Sequence, residues 1–79
     1  MAFLKFSEIV DLNKILNENN FACKVHLHDA CGKQFFSLET TEENKEIDFP
    51  IILEFIKNYF SEKNIEIIIG IDNKSFYLK

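Results

Sequence analysis

The sequence predicts an α+β fold, two helices on one face of a four-stranded antiparallel sheet in the order αββαββ. Three observations predict it. Apolar residues recur at helical spacing in two segments and alternate with polar ones in four others. Turn formers such as Asn19-Asn20, Gly32 and Asp72-Asn73 fall between those segments. The two halves can also be laid on one another: residues 6–20 on 49–64, 21–27 on 65–71, and Phe36-Ser-Leu-Glu on Phe76-Tyr-Leu-Lys.

The first helix is expected from Ser7 to about Asn19. Ile9, Leu12 and Leu16 form its apolar stripe, widened by Val10 and Ile15, while Glu8, Asp11, Lys14 and Glu18 take the other side. Ser7 is the expected N-cap and Asn19-Asn20 the stop. Phe3, Leu4 and Phe6 read as an extended lead-in or a hydrophobic staple. A strand follows over 21–28, with Phe21, Cys23, Val25 and Leu27 inward and Ala22, Lys24, His26 and His28 outward. Residues 29–33 are the expected turn, with Gly32 free to take a positive φ. The chain returns over 34–39 with Phe36 and Leu38 inward, completing a hairpin.

Residues 40–48 read as a linker. Together with Glu39 they carry Glu42, Glu43, Glu46 and Asp48 against Lys45, so the net charge of the chain, −4, is concentrated there. Such a run is a solvated, solubilising loop or a means of capturing a basic partner. Asp48 should cap the second helix, whose first turn accommodates Phe49-Pro50. Phe49, Ile52, Leu53, Ile56 and Phe60 form its core stripe. Ile51, Phe55 and Tyr59 form a second one, so the helix is apolar over a wide arc. The last hairpin is expected from strands at 65–71 and 75–79, with Ile65, Ile67, Ile69, Ile71, Phe76 and Leu78 inward. Because the first strand of each hairpin is longer and more apolar, those two are expected to pair at the centre, leaving the second strands as edges.

Composition bounds the function. With 79 residues and 9.3 kDa the chain is a single domain spanning 1–79, around one small core. Nine Phe, no Trp, two Gly and one Pro favour long regular elements with few special turns. Thirteen acids against nine bases disfavour a general nucleic-acid or anionic-membrane binder. No run approaches the roughly 18 apolar residues of a membrane span, and residues 1–5 lack a signal-peptide pattern. Two Cys in such a chain point to the cytoplasm and free thiols. The sequence has no Gly-rich phosphate loop, no GxSxG and no HExxH, and its carboxylates cluster in the linker instead of flanking a cleft. An enzyme is therefore the less favoured class, and no cofactor is expected.

Two candidate sites remain. The sheet face away from the helices should carry Phe35, Ile68 and Tyr77, large apolar groups where solvated polar ones are expected. That pattern marks a binding or interaction module, with a protein partner or a second copy as ligand; the bland alternative is scattered exposure. The second candidate is the hairpin end, His26-Leu27-His28-Asp29-Ala30-Cys31-Gly32-Lys33. Two residues apart on a strand, His26 and His28 point the same way about 7 Å apart, close enough to grip one metal with Asp29 or Cys31 as third ligand. Alternatively Cys31, near Lys33 and the histidines, is a reactive thiol with His28 as its proton acceptor. Against both stands a plain turn cysteine beside two exposed histidines.

The run from Phe21 to Phe36 resembles the hairpin of a small family of uncharacterised bacterial proteins, the RDAC proteins, known by an Arg-Asp-Ala-Cys-Gly-Gly-Gln-Ser-Phe signature. Asp29, Ala30, Cys31, Gly32, Gln34 and Phe36 match it, whereas His28, Lys33 and Phe35 stand where that family has Arg, Gly and Ser. The resemblance implies a similar hairpin, acidic loop, helix and final strand pair, and a site at the hairpin. It implies no reaction. The change from Arg to His removes the bidentate guanidinium that would otherwise suggest carboxylate or phosphate binding there.

Overall fold

The computed structural model describes residues 4–30, 33–42 and 46–79. Its elements are α1 (Phe6–Glu18), β1 (Cys23–Ala30), β2 (Lys33–Thr40), α2 (Phe49–Ser61), β3 (Ile67–Ile69) and β4 (Ser75–Leu78). The αββαββ order is as expected, and all strand pairs of the four-stranded sheet are antiparallel.

Local chemistry explains the boundaries. α1 starts before Ser7, with Lys5 at the N-cap position and the Glu8 carboxylate accepting the Lys5 N–H at 3.2 Å. Phe6 is therefore the first helical residue, and 73% of it is exposed. Both helices end through an asparagine with positive φ, Asn20 at 62° and Asn64 at 61°. After each, the next amide turns back to a carbonyl five residues earlier, Phe21 N–H to Leu16 and Ile65 N–H to Phe60, both at 3.0 Å or less. This six-residue wrap satisfies carbonyls that the helix end would leave open. Asp48 caps α2 as expected, its carboxylate accepting the Ile51 N–H at 3.3 Å. The second hairpin turns through Asn73, φ 57°, with Asp72 accepting from the Lys74 N–H and the Ser75 hydroxyl.

The strand order is β1-β2-β4-β3, which overturns the expected centre. The second strands of the two hairpins pair in the middle, and the longer first strands are the edges. The tight helix endings dictate this. Each wrap lays its helix on the strand that follows, α1 on β1 and α2 on β3. Adjacent first strands would hold the helix axes about 5 Å apart, against the 8–10 Å that helices require. At opposite edges the same strands are three spacings apart, about 14 Å.

The core lies between the helices and the sheet. Phe36 and Phe76 face each other across β2 and β4, with rings stacked at 4.9 Å, and Phe60 of α2 closes on Phe76 at 6.3 Å. All three are at most 1% exposed, as are Leu4, Leu12, Leu16, Leu53 and Ile56. Phe55, from the second stripe of α2, meets the Phe21 ring edge-on at 5.3 Å, while Ile51 of that stripe is exposed. Two side-chain amides tie the periphery. Asn13 of α1 donates to the Val25 carbonyl at 3.1 Å and accepts its N–H at 2.7 Å. Gln34 does the same for Leu4, both bonds at 2.9 Å.

Several finer expectations fail. β3 is three residues long rather than seven; Ile69 is 37% exposed and Ile71, expected inward, is fully exposed beyond the strand end. Val10, expected to widen the α1 stripe, is 49% exposed. Ala22, placed on the open face by alternation, precedes β1 and is buried. Asp29 and Lys33 are ladder residues, not turn residues, since pairing runs on to Ala30↔Lys33. Cys31 and Gly32, Phe3, and Glu43 and Lys45 of the acidic linker lie outside the described residues.

Candidate functional site: the open sheet face

Register decides what the face away from the helices presents. His28 pairs with Phe35, Phe35 with Tyr77, and Tyr77 with Ile68. The three apolar residues singled out in the sequence therefore form one continuous row across the sheet, headed by a histidine. Directly opposed residues in such a ladder have Cβ atoms about 4.5–5.5 Å apart. The His28 and Phe35 rings are stacked, 4.6 Å apart and within 8° of parallel. Phe35 and Tyr77 remain 46% and 45% exposed, and Ile68 is half-buried.

Polar groups flank the row. The neighbouring rungs hold His26 opposite Ser37, Ser37 opposite Ser75, and Lys24 opposite Glu39. Both histidines lean along the strand to a diagonal partner on β2. His28 Nε2 lies 2.8 Å from Ser37 Oγ. His26 Nε2, itself shielded from solvent, lies against the Glu39 carboxylate. At the far edge Lys79 approaches Glu66 at 3.5 Å, with both side chains well exposed.

The hairpin-end candidates are thus divided. His26 and His28 share the open face, but each is engaged by β2. Asp29 alternates to the opposite side of β1, away from both imidazoles. Lys33 ends the ladder and is exposed. Cys31 lies outside the described residues, and with it the thiol arrangement built on His28. Among the described residues no three His, Cys, Asp or Glu side chains converge as a metal would need. Cys23 is a free, buried thiol, pushed up by that burial and held partly down by a backbone hydrogen bond from Glu39. Among the described residues no helix is long and apolar enough to cross a membrane.

Sequence reasoning missed Asn13 and the groove beside it. Phe6, Val10, Asn13 and Leu27 line a groove along the outer edge of β1. The signal was present: Asn13 lies four residues after Ile9 and three before Leu16, a polar amide on an apolar stripe.

No family model, curated protein or solved structure matches the chain.

Proposed function

We propose that this chain is a small interaction module, not a catalyst, that engages a protein surface through the open face and the adjoining hairpin end. The carrying observation is the unbroken row His28–Phe35–Tyr77–Ile68. Rings of this size bury 150–250 Å² each, so the exposed halves of Phe35 and Tyr77 leave about 70–110 Å² apiece uncovered. Covering each contributes about 2 kcal/mol before the costs of association. The stacking of His28 on Phe35 takes one face of each ring, which leaves less of both to stack on the bases of a single-stranded nucleic acid. The acidic balance of the chain points the same way. A reducing, cytoplasmic setting fits the free thiol of Cys23.

Amide NMR spectra test the proposal. Signals from residues 24–28, 33–39 and 75–78 should move with protein concentration, with an added apolar dye such as anilinonaphthalene sulfonate, or with both. Phe35→Ser should abolish the response while the far-ultraviolet spectrum stays native. A face whose signals respond to neither perturbation refutes the module.

A further inference from the structure

Resting on that reading, we infer that the partner of the open face is a second copy of the chain, packed sheet against sheet about a twofold axis.

Charge selects the occupant. The open face carries Lys24, Lys33 and Lys79 against Glu39 and Glu66, and its two carboxylates are engaged locally, Glu39 by His26 and Glu66 by Lys79. The whole chain is −4, so its acid surplus lies on other surfaces. That surplus is concentrated in the linker after β2, away from the row, so two copies can meet across this near-neutral face with their most acidic segments apart. A basic partner would instead be drawn to the acids at Glu42, Glu46 and Asp48, off the apolar row.

Shape and area agree. A twofold contact is isologous, so the patch must complement itself. A central apolar row flanked by serines and by paired charges of both signs does so: rings cover rings, and each lysine-bearing rim meets a rim that also holds carboxylates. Stacked sheets sit about 10 Å apart with strand directions within about 30°, which leaves room for one interdigitated layer of side chains. From strand spacing and rise per residue, the face projects roughly 400 Å². That lies below the roughly 800 Å² per partner of a standard interface and defines a weak, reversible dimer. Weak contacts of this size are sought at concentrations on the order of 10–100 μM.

Sedimentation velocity from about 5 to about 500 μM spans that range and tests the inference. The wild-type chain should pass from monomer to dimer, with no larger species, because the contact closes on itself. Phe35→Ser should raise the dissociation constant at least about tenfold. Tyr77→Lys, which sets like charges against each other across the axis, should give monomer throughout. Far-ultraviolet circular dichroism confirms folding of both, and either folded variant suffices. Phe6→Ser, on the β1-edge groove, should leave the dimer intact. Loss of the dimer in Phe6→Ser with retention in Phe35→Ser would place association at that edge and overturn the inference. A wild-type chain that is monomeric throughout would also overturn it. If face signals then still respond to the dye, the module stands with a different partner; if they do not, both fall.

Discussion

Asn13→Ala should destabilise the fold out of proportion to the atoms removed. Among the described residues the Asn13 amide bonds Val25 on the outer side of β1, with Nδ2 at 3.1 Å from the carbonyl and Oδ1 at 2.7 Å from the N–H. It occupies the place of a neighbouring strand. Truncation removes two hydrogen bonds with a net contribution of about 0.5–1.5 kcal/mol each. Val25 is 3% exposed, but the edge lets water replace part of the loss, so we expect about 1.5–2.5 kcal/mol in total. For a domain of this size that lowers Tm by roughly 6–20 °C. Urea unfolding followed by circular dichroism measures the first quantity, and hydrogen exchange of the Val25 amide reports the site directly. Asn13→Asp sharpens the test: it keeps the acceptor but turns a carboxylate toward the Val25 carbonyl. The introduced carboxyl can donate only when protonated, so its folded pKa is raised. That variant should therefore gain stability relative to wild type as pH falls toward about 4 and lose it as pH rises. An Asn13→Ala protein within about 0.5 kcal/mol of wild type, with Val25 exchange unchanged, would refute the edge-strand role of the amide.

Three other outcomes are expected. Gly70→Ala places a methyl on Ser75 Oγ and close to Asp72 Oδ1, and should cost about 1–2 kcal/mol in urea unfolding; adding Ser75→Ala should recover more than half, and no recovery would contradict the clash. The Asp72 carboxylate, held below its usual value by the Lys74 N–H and the Ser75 hydroxyl, supports the β3–β4 turn at neutral pH; that support should fade as pH falls below about 3.8 toward the depressed folded value, and Asp72→Asn should remove the pH dependence of the Lys74 amide shift. Cys23, buried and with its thiol pushed up, should in a Cys31→Ser background alkylate far more slowly than free cysteine at pH 8 and catch up only in denaturant, as mass spectrometry would show.

Periodicity made the elements legible. The α1 stripe of Ile9, Leu12 and Leu16, the α2 stripe of Ile52, Leu53, Ile56 and Phe60 apart from half-buried Phe49, and inward Val25, Phe36 and Phe76 are buried as their spacing implies. The open-face row was legible residue by residue but not as a row, because alternation assigns a face and only register assigns a neighbour. Strand order is not legible from length and apolarity, which point to the first strands as the centre. In a sheet with one solvated face, a helix over an edge strand buries that strand's inner side just as well. The deciding residues were Asn20 and Asn64, whose left-handed conformations set how tightly each helix turns onto its strand. In the sequence Asn20 reads only as part of a helix stop, and Asn64 only as the matching end of the second repeat. Asn13 and Gln34 escaped because a single amide clasping a backbone leaves no periodic trace.

The two halves agree in the core and disagree on the open face. Laid on one another, Phe36 matches Phe76 and Asn20 matches Asn64, and the structure pairs the first two at the sheet centre and gives the second two the same left-handed φ. A pseudo-twofold thus runs through the core. On the open face the same superposition sets Phe35 on Ser75, Ser37 on Tyr77 and Lys24 on Ile68. Had the apolar row come with the repeat, its members would occupy matched positions. They do not: each half supplies its large side chain at a place where the other has a small or charged one, and register brings them into line. Core packing requires no such alignment, since none of these side chains is in the core. Exposed apolar groups that break the internal symmetry yet align in one row are the physical ground on which we propose the face as a contact surface.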